Sequence, residues 1–274
     1  MRTIQRYLRL IHGLTISDGA IVAAQRLVAA RGRVEVAAIR EEVRASPVVH
    51  ADETGWREAG ENGYLWTFST PTARYFAHGS RARAVVTDTL GDPFPGTLVT
   101  DFYAAYSHHE GPHQRCWAHL LRDVHEVRSR SPDDQRVQRR AGRVKRVFED
   151  ATAGAAPDER LRRHLRRQLE RRLLAACRPF LTEAGTAVGT LCRRMERFLH
   201  QLFVFVTDPA VPPTNNLAER SLRHQVTARK ISGGTRSADG TATKVALATL
   251  FGTWDLRGLN PFEQCRRVLT CPQP

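Results

Sequence analysis

The chain has 274 residues and a mass of 30.8 kDa, long enough to bury about 75% of the surface its unfolded form exposes. Hydrophobic residues make up 41% and charged residues 26%, which excludes collagen, a wholly disordered chain and a disulfide miniprotein. Lysine and arginine total 42 against 28 acidic residues, a formal charge of +14. An excess of this size points to a polyanionic partner, because each cation docked on a phosphate releases condensed counterions.

Only Lys145, Lys230 and Lys244 are lysines. GC-rich coding accounts for the ratio, but the arginine fork also suits phosphate and guanine edges. Cys116, Cys177, Cys192, Cys265 and Cys271 form no CxxC pair and no even framework, which argues for a reducing, cytoplasmic compartment. The N-terminus alternates charge with apolar residues and does not read as a signal peptide. No run approaches the 18 apolar residues of a membrane span, so no membrane partner is expected.

Residues 1–46 read as a helical lead-in. Ile4, Leu8 and Ile11 recur at helical spacing until Gly13. Ser17-Asp18 caps a second helix carrying Ile21, Val22, Leu27 and Val28, and a third runs from about Val34 to Val43. The segment is either helix-turn-helix-like or an ordinary helical packing element. Ser46-Pro47 closes it. Val48 to Asp52 is a short apolar β run that stops at a carboxylate. The runs 63–69 and 73–78 follow it, as in an antiparallel meander. Residues 80–90 read as a helix stopped by Gly91, and Gly96 to Asp101 as a further strand, again ending on a carboxylate. Residues 47–274 therefore read as one mixed α/β domain.

Residues 128–172 carry 15 basic and 7 acidic residues. Leu161, Leu165, Leu169 and Leu173 form a stripe expected to face the protein, turning Arg162, Arg163, Arg166 and Arg167 outward, either toward a polyanion or into solvent. Ala151 to Pro157 reads as a break before that helix, and one helix is expected from about Glu183 to Phe205. Thr214-Asn215-Asn216 caps a helix holding Leu217, Leu222 and Val226. Helices at about 238–254 and 261–269 complete the chain.

Phosphodiester chemistry calls for hard oxygen ligands on a rigid frame. Asp52 and Asp101 at strand ends, with Glu219 early in a helix, supply such a set, although acidic residues at strand ends also arise by chance. Cys116 and His119 are three apart, half of a zinc site or simply structural. Arg223 lies one turn after Glu219, placed either to neutralise a phosphate or to stand in solvent.

Three long motifs occur in order: His50-Ala51-Asp52-Glu53-Thr54-Gly55-Trp56, Leu98 to Tyr106 (LVTDFYAAY), and Asn215 to Arg223 (NNLAERSLR). With Arg229-Lys230-Ile231-Ser232-Gly233-Gly234 and Gly258-Leu259-Asn260-Pro261-Phe262, they resemble the DDE transposases of the IS66 insertion-sequence family over about residues 20–270. The resemblance implies a ribonuclease H-like α/β fold. Its mixed sheet would be followed by a long, basic helical insertion at about 128–206, placed before the last catalytic helix. It also implies a catalytic and metal-binding triad of Asp52, Asp101 and Glu219 holding two magnesium ions, with manganese able to substitute. Glu53, on the opposite face of its strand, stays outside that set.

Cys116-Trp117-Ala118-His119 resembles a C-x2-H pattern that supports the catalytic pocket. Arg223, Arg229 and Lys230 join Arg162, Arg163, Arg166 and Arg167 as DNA-binding residues. The implied function is metal-dependent cleavage and strand transfer on double-stranded DNA, by a bacterial, nucleoid-associated homo-oligomer working with accessory proteins of the same element. Family members are expected to be longer at the N-terminus, so this chain reads as a catalytic portion behind a short helical lead-in. The rival readings are an inactive DNA-binding remnant and a ribonuclease H-like nuclease that only hydrolyses.

Overall fold

The computed structural model describes residues 2–154 and 158–270. Cys271 and the last three residues of the break at 151–157 lie outside them. In chain order come α1 (Arg2–His12), α2 (Asp18–Arg31), α3 (Arg33–Arg44), β1 (Val48–Glu58), β2 (Glu61–Ser69), β3 (Arg74–Gly79), α4 (Ala84–Leu90), β4 (Thr97–Thr100) and β5 (His113–Arg115). They are followed by α5 (Trp117–Ser129), α6 (Gln135–Ala153), α7 (Glu159–Cys177), α8 (Ala187–Arg197), α9 (Leu199–Leu202), α10 (Val204–Thr207), α11 (Asn216–Ser232), α12 (Ala238–Leu256) and α13 (Pro261–Thr270). The strands form one mixed sheet in the order β3-β2-β1-β4-β5, a mixed α/β architecture.

The chain divides into two compact units, each assembled from separate segments. The first comprises residues 1–45, 53–90 and 220–274. In its lead-in, Ser17 accepts a hydrogen bond from the Ala20 amide and caps α2 as expected. β1 and β2 are joined by Ala59-Gly60, both at positive φ (51° and 93°). That conformation matches the twist of the flanking strands in a two-residue hairpin. Trp56, Leu65, Phe76, Leu222 and Ala248 form the core of this unit. β3 is an edge strand, and α12 covers it. Thr249 Oγ1 accepts from the Phe76 amide at 3.0 Å and Thr253 Oγ1 from the Arg74 amide at 3.1 Å, so backbone donors that would be open to strand addition are occupied.

The second unit comprises residues 46–52 and 91–219. The first residues of β1 pair in parallel with β4, in the register Val48↔Thr97, Val49↔Leu98 and His50↔Val99, and β4 pairs in parallel with β5. Val48, Val99, Trp117, Leu169, Leu173, Met195 and Phe203 belong to one continuous core with the helices α5 to α10.

Several expectations change. β1 does not stop at Asp52 but runs on to Glu58. Its continuous buried run, largely apolar, ends at Ala51, and burial returns only at Trp56, so the apolar run is shorter than the strand. β5 was not anticipated. The single helix expected from 183 to 205 is α8 followed by two short turns, α9 and α10. The break has a cause outside the segment. The Leu202 carbonyl accepts from both Gln114 Nε2 and Trp117 Nε1, and the Phe205 amide donates to Gln114 Oε1. Backbone groups that a helix would use internally are taken by β5 and α5.

The leucine stripe also departs from expectation. Leu169 and Leu173 are fully buried, but Leu161 is 47% exposed. Residues four apart on an α-helix rotate about 40° per step, so the stripe winds off the buried face over its length. The arginines rotate with it.

Candidate active site

Asp101 follows Asp52 by 49 residues, the same offset as the pairing of Val48 with Thr97. The paired β1–β4 register ends at His50↔Val99, and Asp52 and Asp101 each lie two residues beyond it, Asp101 just past the end of β4. Both carboxylates are half-buried. Glu53 takes the other side of β1. Its carboxylate accepts from Arg81 at 2.8 Å and its side chain is 3% exposed, as alternation along a strand requires.

Asp101 sits in a braced turn. Its Oδ1 accepts from the Tyr103 amide at 2.8 Å, an Asx-type turn. Behind it lies Arg115, fully buried on β5. Its guanidinium donates to the Asp101 carbonyl (2.7 Å), Thr100 Oγ1 (3.2 Å), Ser107 Oγ (3.0 Å) and Gln201 Oε1 (2.8 Å), and stacks over Phe198. Burial pushes the Arg115 pKa down to about 10, with the Asp101 charge opposing the fall. At neutral pH the cation remains and fixes the backbone that carries Asp101.

Glu219 arrives from the far end of the unit's sequence, and Asn215 anchors it. The Asn215 side chain donates to the Ala51 carbonyl at 2.8 Å and accepts from His50 Nδ1 at 3.1 Å, while its backbone amide donates to Cys116 Sγ at 3.1 Å. The Trp117 amide donates to the Pro213 carbonyl at 2.9 Å, and the Glu219 amide to the Asn215 carbonyl at 3.2 Å. The first turn of α11 is thus tied to the residue preceding Asp52 and to the start of α5. Glu219 Oε1 lies 3.5 Å from His119 Nδ1. Cys116 Sγ, a His119 ring nitrogen and a Glu219 oxygen all lie within 4.8 Å of one another.

Asp52, Asp101, Glu219, Cys116 and His119 all fall in the second unit. The basic residues are dispersed. Arg163 and Arg167 are exposed on α7. Arg166 donates to Glu170 Oε1 (2.8 Å) and to the His200 carbonyl (2.7 Å), and Arg162 is half-buried with an enclosed Nε. Neither has the outward placement expected of the helix. Arg223 and Lys230 are exposed and Arg229 half-buried, on the part of α11 that belongs to the first unit. The sequence reading missed Arg115 as a brace and Asn215 as more than a helix cap. A basic residue in the otherwise apolar-flanked Gln114-Arg115-Cys116-Trp117 was the one available signal for Arg115.

Two acids carried by the parallel strands β1 and β4 thus share a unit with a glutamate whose helix is tied to β1 and α5. A profile described as the Transposase IS66 family matches residues 1–243, and the chain belongs to that family. Two proteins of Sinorhizobium fredii (strain NBRC 101917 / NGR234) are similar to it. "Uncharacterized protein y4jD" is 25% identical over 260 residues, covering 83% of this chain and 50% of its own length. "Uncharacterized protein y4qI" is 27% identical over 277 residues, covering 85% of this chain and 49% of its own. The chain spans about half the length of these relatives. Among the described residues no helix is long and apolar enough to cross a membrane.

Proposed function

We propose that the chain carries the catalytic centre of a DDE-type DNA transposase, cutting and transferring DNA strands at an insertion-sequence end with Asp52, Asp101 and Glu219. The observation that carries this reading is the parallel β1–β4 pairing that ends two residues before both Asp52 and Asp101, combined with the Asn215 tether that holds the Glu219 helix to β1. A three-strand meander followed by two parallel strands supports reading the sheet as ribonuclease H-like.

The donor set fits hard divalent cations. It is all oxygen, drawn from a residue inside β1, the residue following β4 and the first turn of α11. Asp52, Asp101 and Glu219 would hold the ions. Magnesium bound there, or manganese in its place, supplies activation of the attacking oxygen and neutralisation of charge at the phosphate. The protein's part is positional. Arg115 and the Asp101–Tyr103 turn hold one carboxylate, and Asn215 and His50 hold the strand and helix that carry the other two. The exposed arginines Arg163 and Arg167 and the overall +14 charge supply the attraction for a DNA duplex. Two DNA ends brought together call for an oligomer.

The test is a magnesium-dependent assay on duplex DNA with a labelled 3′ end. Asp52→Asn, Asp101→Asn and Glu219→Gln each lower cleavage by at least about a hundredfold while DNA affinity stays near wild type, since each removes a ligand charge and little volume. Cleavage that survives EDTA overturns the metal mechanism. Cleavage without joined products reduces the reading to a hydrolytic nuclease.

A further inference from the structure

We propose that Cys116, His119 and Glu219 form a second metal site, specific for a soft or borderline divalent cation of the zinc class, with its fourth position open. The three ligand types are those of zinc sites, and a thiolate with an imidazole selects zinc over magnesium. Cys116 stands at the N-cap of α5 and His119 three residues on, so the first helical turn presents both toward Glu219 on the first turn of α11.

The His119–Glu219 separation suits a tetrahedral ion, and Cys116 Sγ lies within 4.8 Å of both groups. With metal–ligand distances of about 2.0–2.3 Å, ligand atoms around zinc stand about 3.3–3.8 Å apart, and Nδ1 of His119 lies 3.5 Å from Oε1 of Glu219. Both atoms are buried, and neither has a hydrogen-bond partner among the described residues. Buried polar atoms left so facing each other need a ligand to satisfy them. Cys116 Sγ already accepts the Asn215 amide, the outer hydrogen bond that orients a metal-bound thiolate.

The site shares Glu219 with the proposed triad but uses neither Asp52 nor Asp101, and it goes beyond the DNA reaction. Glu219 would bridge the two chemistries, one oxygen toward sulfur and imidazole, the other left for the hard cations.

Cobalt titration of the chelator-treated full chain tests this, because cobalt(II) reports thiolate ligation by a near-ultraviolet charge-transfer band. One cobalt ion per chain should bind with that band, and zinc should bleach it. Cys116→Ser abolishes the band, and His119→Gln weakens cobalt binding by about tenfold or more. Cys265→Ser leaves both unchanged. Absence of the band in the parent chain, or its persistence in Cys116→Ser, overturns the site. Should Cys116→Ser fail to fold, His119→Gln decides through affinity, with unchanged affinity overturning the site. A chain that binds cobalt in this way but does not cut DNA removes the proposed reaction and keeps the metal site. Magnesium-dependent cleavage without the band does the reverse.

Discussion

His113 is enclosed on β5, its Nε2 2.9 Å from Thr100 Oγ1. Burial, reinforced by the charges of Arg115, His109 and His200, holds its pKa well below the ordinary histidine range. His109 is shifted the same way, chiefly by burial. The consequence for stability has a definite sign. Above about pH 6.5 both folded and unfolded chains keep these rings neutral, and they add no pH dependence. Below it the unfolded chain takes up protons that the folded chain refuses, so stability falls by up to about 1.4 kcal/mol per pH unit for the enclosed His113, and by less for the partly exposed His109. Denaturation midpoints between about pH 7.5 and about pH 5 should therefore decline, and His113→Gln should flatten the decline. An equal slope in the variant would show that His113 is not responsible.

Among the elements, α7 shows how far periodicity carries. Its amphipathic character is legible from leucines every fourth residue, but that spacing drifts about 40° per step around the helix. Leu161 consequently lies outside, and Arg166 is spent on Glu170 and His200. The exposed arginines proposed to meet DNA reduce to Arg163, which also lies 3.5 Å from Glu159, and Arg167. Changing both to Gln should flatten the slope of log K against log salt by about 2, since each phosphate contact contributes about 0.9. An unchanged slope would place the duplex elsewhere.

The strands divide in the same way. β1 and β4 announced themselves because their buried residues are apolar. β5 is three buried polar residues, His113, Gln114 and Arg115, satisfied by partners distant in sequence. No local pattern marks such a strand. The acids of the candidate site could be picked out by motif. Their supports, Asn215 and Arg115, act through contacts that sequence spacing does not express.

At the scale of the whole molecule, the first unit needs its third segment. α12 supplies the hydroxyls that bind the Arg74 and Phe76 amides, and Trp254, fully buried, donates to Glu35 at 2.7 Å. Removing residues 220–274 should abolish amide-exchange protection in β3. The second unit ends at Glu219 and keeps all its segments, so amides of α6 and α7 should stay protected. Retained protection in β3 would show that α12 is dispensable to the strand.

The order of manufacture follows from the same segmentation. A ribosome has delivered every residue of the second unit once Glu219 is out, whereas the first unit, begun with residues 1–45, waits for residues 220–274. Its meander must spend that interval with β3 uncovered, a period of exposure to chaperones and to neighbouring nascent chains.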